Sequence, residues 1–263
     1  MLRRTLRALL VSLATFAAAA LAQSQPHVEF TDRYAQEVDK RLTLPPEEAH
    51  GYALRLADLL AEAANRKPQF VVMVDRSPAV QAVFVYWGSP DEGWSLVGAS
   101  PASTGLPGAF EHFETPLGVF EHTLANPDYR AEGTRNKNGI RGYGAAGMRV
   151  YDLGWVAAPR TWGTRGPGVM RLQMHATDPD LLEPLLGVRR SKGCIRIPAS
   201  LNAFIDRYGL LDADYERAVS QGRPQWILRA TRTPTPWSGR YLVIVDSLRA
   251  SRPAWAPLPS GRP

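Results

Sequence analysis

The sequence predicts a mainly β fold: a mixed β-sandwich or partly open barrel with flanking α-helices. Three observations predict it. Short runs of β-branched and aromatic residues, Phe70 to Val74, Ala82 to Trp87 and Trp94 to Ala99, are separated by turn-forming residues. Helical periodicity is confined to the stretch before residue 68 and the stretch after residue 198. Late runs at Trp226 to Leu228 and Tyr241 to Val245 return to strand character.

In chain order, residues 1–22 read as a secretory signal peptide. Arg3, Arg4 and Arg7 form its basic start, Ala8 to Leu21 its apolar run, and Ala20-Leu21-Ala22 its cleavage site, so the mature chain is expected to begin at Gln23. No cysteine directly follows the apolar run, which argues against lipoprotein attachment there, and no later stretch is apolar enough to span a bilayer. Residues 23–67 form an N-terminal helical extension, with a short helix expected around Tyr34 to Arg41. A second helix opens at Pro45-Pro46-Glu47-Glu48, where proline is tolerated and acids are favoured. Ala49, Tyr52, Ala53, Leu56, Leu60 and Ala63 give that helix one apolar stripe.

Residues 68–200 carry the main domain. Gly88 to Gly93 turns between strands, Ser100 to Gly108 is a loop, and Thr115 to Gly118 turns into a strand over Val119 to Leu124. His112 and His122 fall near these turns and read as surface or half-buried. Asn126 to Pro167 is long and rich in Gly, Arg and aromatics, so it is expected to be an irregular flap with Tyr143, Trp155 or Trp162 as walls. Val169 to Met174 reads as a strand with one buried face, delivering His175 at its end. Thr177 to Arg189 is a loop with a half-helical centre. Residues 201–250 hold an amphipathic helix starting at Pro198 and Ser200, a second helix over Asp212 to Val219, the two late strands and a Pro/Thr-rich link. Residues 251–263, with four prolines, read as a disordered or extended tail.

The net charge is +6, and losing the three leader arginines would lower it to +3. That is weak for nucleic acid, there is no basic-aromatic array for single strands, and it suits an anionic envelope polymer. The chain has one cysteine, Cys194. It cannot close an internal disulfide, and an odd cysteine in an exported chain points to a reactive thiol. With scattered histidines and no Cys-x-x-Cys pair, neither a structural zinc site nor any other cofactor is expected.

Cys194 sits in Arg190-Ser191-Lys192-Gly193-Cys194-Ile195-Arg196-Ile197. A thiol reacts as thiolate, and nearby cations or an imidazole promote that form. Arg190, Lys192 and Arg196 supply cations, and His175 is the candidate base. Amides near Gly193 and Cys194 are candidate oxyanion donors, and Ser191 is a candidate brace within the loop. Arg196 is a candidate for gripping a substrate carboxylate. For the group orienting His175, a backbone carbonyl, Asp178 and Asp180 are all open.

Together, His175, a spacer of 15 residues, and Ser191-x-Gly193-Cys194-Ile195-Arg196 resemble the signature of the L,D-transpeptidase (YkuD-like) catalytic domain. Ser103-Thr104-Gly105 and Thr115-Pro116-Leu117-Gly118-Val119-Phe120 are similar to two further segments of that family. The resemblance runs from about Gln69 to Ile197, with one departure: Lys192 stands where familiar members carry a second histidine. It implies an L,D-transpeptidase-like fold and a cysteine acyltransferase of the periplasm or cell envelope, acting on peptidoglycan stem peptides in cell-wall organisation and cell shape. Cys194 would be nucleophile, His175 base, and Arg196, Lys192, Tyr143 and Trp155 substrate-binding. An L,D-carboxypeptidase or amidase, or a non-catalytic wall-binding protein, are the alternatives. A redox-sensing thiol is disfavoured because no resolving cysteine exists.

Overall fold

Two mixed sheets face each other across the main core. The structure, a computed structural model, describes residues 26–62 and 65–259. The expected signal peptide, Ala63 of the helical stripe and the last four residues of the tail lie outside the described residues. Sheet A has five strands in the order β3-β2-β1-β9-β4: β1 (Gln69–Asp75), β2 (Ala82–Ser89), β3 (Gly93–Pro101), β4 (Gly118–Glu121) and β9 (Tyr241–Val245). Sheet B has four in the order β5-β6-β7-β8: β5 (Tyr129–Arg130), β6 (Arg149–Arg160), β7 (Gly166–Ala176) and β8 (Ile195–Ile197). The pairs β1–β9 and β7–β8 are parallel and the others antiparallel. No closed barrel forms among the described residues.

Sheet A is covered on both sides, which is why β1 is buried at every position and its Phe70 to Val74 read as an unbroken apolar run. On its inner face Phe70, Val72, Val74, Val83 and Val85 meet Met170, Leu172, Met174, Ile195 and Ile197 of sheet B. On its outer face Val71, Met73, Phe84, Tyr86 and Val243 pack against Tyr52, Leu56 and Leu60. The latter three belong to or directly follow α2 (Pro46–Leu59), which starts at the expected prolines.

The first helix, α1, runs Pro26–Glu37 and so lies about two turns earlier than Tyr34 to Arg41. Its register follows Phe30 and Tyr34, one turn apart, which enter the main core beside Phe70 and Phe204. Helices α3 (Ala199–Tyr208) and α4 (Ala213–Ser220) match the two expected ones. Leu201, Phe204, Ile205 and Tyr208 of α3 all join the same core.

Four expectations are corrected. Asn126 to Pro167 is not one irregular flap: it contains β5 and the long strand β6, and only residues 131–148 between them are loop. The many glycines and arginines hid a strand whose inward positions, Tyr151 and Leu153, are buried. Trp226 to Leu228 is a turn, with Leu228 N–H bonded to Gln225 O. His122 is fully buried rather than near the surface. The described part of the tail is packed: Trp255 is 9 % exposed and its ring lies 6.2 Å from those of both Tyr52 and Phe84. Arg252 ties the tail down by donating to the carbonyls of Pro78, Val80 and Gly187. Trp255→Ala is therefore expected to cost about 3–5 kcal/mol in a urea denaturation; an unchanged midpoint would mean that the tail is an ornament.

His122 belongs to a buried ionic cluster that ties the 122–130 segment and β6 to α3 and α4. Arg149, fully buried, donates to Asp128 at 2.7 Å and, through two nitrogens, to Asp212 at 2.8 and 2.7 Å. Its guanidinium also lies over the rings of Tyr151 and Tyr215, at 4.9 and 5.0 Å. His122 Nδ1 faces Leu211 O at 2.9 Å and Nε2 faces an Asp128 oxygen at 2.8 Å. Both partners only accept, so both ring nitrogens carry hydrogen and the ring is an imidazolium. Burial opposes that charge, but the Asp128 carboxylate outweighs it and the His122 pKa is raised.

Candidate active site

Strand alternation puts Met170, Leu172 and Met174 of β7 in the core, and Arg171, Gln173 and His175 on the opposite, outer face. On β8, Ile195 pairs with Met174 and is core, while Arg196 pairs with His175. Extended back by one residue, that register sets Cys194 beside Gln173. The single thiol and the imidazole therefore share the outer face of two adjacent parallel strands.

Cys194 lies just before β8 in a loop braced from several sides. Ser191 Oγ accepts from Gly193 N–H at 3.0 Å and donates to Cys194 O at 2.5 Å. Thr115 Oγ1 donates to Gly193 O at 2.7 Å and accepts from Gly105 N–H at 2.8 Å. Ser103 exchanges two backbone hydrogen bonds with Arg196, and Thr104 O accepts from Ser191 N–H at 3.0 Å. Both outlying segments that carried the family resemblance thus converge on this loop. Gln81, which the sequence reading missed, holds Thr104 in turn, accepting from its N–H at 2.8 Å.

Gly193 has φ +132°, and a Cβ there would stand 2.7 Å from Met170 Sδ and 3.3 Å from Phe113 Cβ. Methionine can yield, but the backbone angle cannot be relieved, so Gly193→Ala is expected to cost about 1–3 kcal/mol. It is also expected to change the alkylation rate of Cys194; a variant with native stability and native thiol reactivity would contradict this. The Gly193 N–H is engaged by Ser191 and is not a free oxyanion donor. Of the two amides named from sequence, that leaves Cys194 N–H.

His175 is 4 % exposed and its Nδ1 stands 2.5 Å from Ala176 O. A carbonyl oxygen only accepts, so Nδ1 carries the hydrogen and Nε2 presents a lone pair, the tautomer of a base. Of the three orienting groups left open by the sequence, the carbonyl is the one in contact. Asp178 instead accepts from the backbone of Arg141, Asp180 and Leu181, and Asp180 accepts from the Arg141 side chain. The two aspartates anchor the 131–148 loop.

Burial lowers the His175 pKa to about 4, with the Ala176 carbonyl opposing and the Arg196 charge adding to the drop. Burial raises that of Cys194; the Gln173 N–H and Arg196 pull it down by less, and Asp152 adds to the rise. The expectation that neighbouring cations make a thiolate is therefore corrected: near neutral pH both partners are uncharged. The thiol faces Arg171 O at 3.9 Å.

Arg190 and Arg196 are half-buried, and the Nε of each is buried without a hydrogen-bond partner among the described residues. Lys192 points away, its exposed Nζ 2.9 Å from Glu111 Oε2. It neither covers the thiol nor takes the place of an imidazole. Tyr143 comes over the site from the 131–148 loop, its ring 4.6 Å from that of His175. With Tyr129 and Ile140 it also lines an open pocket under that loop. Trp155 is on β6, not in a flap; it pairs with Arg171 and is 69 % exposed. Trp162, in the β6–β7 connection, packs edge-on to Phe113 at 4.7 Å. Gln173, which reads as an ordinary polar strand residue, and Asp152, which fell in the segment expected to be irregular, were both missed in the sequence and are both buried on this face. No protein-family model matches this chain, and no curated protein matches it either.

Proposed function

We propose that the protein is a cysteine acyltransferase acting on peptidoglycan stem peptides, an exported enzyme of L,D-transpeptidase type. The observation that supports the reading is that the sole cysteine and a histidine whose Nδ1 faces a carbonyl lie on one face of β7 and β8. In the reaction, His175 Nε2 takes the Cys194 proton as the sulfur attacks the donor amide carbonyl. A C–S bond forms, and Cys194 N–H faces the oxyanion. The C–N bond then breaks, His175 returns the proton to the leaving amine, and a thioester remains. An acceptor amine attacks that thioester, forming a new amide and releasing the thiol.

Arg196 and Arg190, cations with unpartnered nitrogens beside the nucleophile loop, suit the carboxylates of a stem peptide. Trp155 offers an exposed face beside Arg171 for the rest of the substrate. The test is to incubate the chain and its Cys194→Ala variant with disaccharide-tetrapeptide and to read products by mass spectrometry. Cross-linked dimer from the native chain alone supports transfer. Loss of the terminal residue without dimer points to hydrolysis by the same thiol. Inertness of both well-folded proteins overturns the reading.

A further inference from the structure

Gln173 lies two residues before His175 on β7 and beside Cys194 across the β7–β8 pair. Its side chain is 6 % exposed and hydrogen-bonded at both its nitrogen and its oxygen. Asp152, fully buried, is a carboxylate and only accepts, so the Gln173 Nε2 faces it, at 2.9 Å. Asp152 is itself held by Arg171 Nε at 2.7 Å and by Gly154 N–H at 2.9 Å. The amide is thereby fixed with Oε1 on the far side, where it accepts from Tyr143 OH at 3.2 Å and, more weakly, from Tyr129 OH at 3.4 Å. Tyr143, 39 % exposed, packs its ring edge-on against the His175 imidazole. Next to it Gly144 packs against Ala176, and two residues earlier Arg141 meets Asp178 and Asp180.

We propose that Gln173 is a positioning residue: its amide, oriented by Asp152, holds the Tyr143 ring on His175 and so keeps that imidazole dry and fixed on Ala176 O. The role rests on His175 being the base of the proposed reaction, but its test does not use that reaction. Two variants cut the same hydrogen bond, Tyr143→Phe, which keeps the ring, and Gln173→Met, which keeps the bulk. The charged and titratable groups of neighbouring elements, Arg196 and Cys194 toward β8 and Asp152 on β6, keep their identity in both.

The measurement is an NMR titration of the His175 ring nitrogens in the full chain. The native midpoint is expected at about 4. Each variant is expected to move it up by about one unit or more, toward the ordinary histidine value near 6.5. Gln173→Met also frees Asp152 and Tyr129, so the double variant is expected to move it no further than Gln173→Met alone, because the Tyr143–Gln173 contact is lost only once. A midpoint unmoved by Tyr143→Phe, or shifts that add in the double variant, would overturn the proposal. A stem-peptide assay that fails while these shifts appear would overturn the proposed substrate and leave the positioning role standing.

Discussion

Replacing His175 by alanine is expected to slow acylation of Cys194 about a hundredfold to ten-thousandfold, the usual worth of a positioned base. The resting pair explains why the effect is large. A thiol whose pKa is raised by burial has little thiolate of its own near pH 7, so the proton must leave as the sulfur attacks. The pH profile follows with its sign. The base form of His175 persists down to about pH 4, so kcat/KM should hold through pH 6 and fall only as the pH drops through about 4. In the alanine variant that acid limb should vanish, and the rate should climb with pH toward the thiol's own ionisation. Stopped-flow thioester formation with a chromogenic acyl donor reads both. An acid limb near 6.5 in the native chain would mean an exposed imidazole and would contradict the burial seen here.

Replacing Arg149 by methionine is expected to destabilise the fold by about 3–5 kcal/mol, the cost of removing one partner from a buried ionic set. Asp128 and Asp212 would be left in the interior with one imidazolium between them, and the stack on Tyr151 and Tyr215 would lose its charge. Urea denaturation at neutral pH measures it, and a loss below about 1 kcal/mol, the worth of a surface pair, would refute the buried assignment. The two buried histidines then act on stability in opposite directions. His122, with its pKa raised, contributes stability that is full below the unfolded value near 6.5 and lost as pH rises through its folded value. His175, with its pKa lowered, contributes stability that is full above 6.5 and lost as pH falls toward 4.

Strands β1, β2 and β3, the helix starting at Pro46 and the helix after Pro198 were legible because each writes its pattern over neighbouring residues. The positions of His175 and Cys194 were legible for a related reason, since a strand end and a Gly-Cys turn are local signals. The ionic cluster was not. Asp128, Arg149, Asp206 and Asp212 belong to four separate segments, and each reads alone as a solvated charge. Trp255 was misread because proline content signals the absence of regular structure, which is a different matter from the absence of packing. Gln173 was invisible because its importance lies in which way its amide faces, and that depends on Asp152, 21 positions earlier.

The pairing of β1 with β9 sets an order of events in time. Val72 sits beside Leu242, so the centre of sheet A joins segments 170 residues apart in sequence. Loop closure over such a separation is slow, and the five-stranded sheet is completed only after β9 has been synthesised. Until β9 inserts, β1 and β4 each present an open backbone edge, and β1 is apolar from Phe70 to Val74. During that interval the nascent chain is at its most prone to self-association. A truncation ending before Tyr241 should therefore partition into aggregates, with Cys194 and His175 intact on sheet B but no finished sheet A for it to pack against.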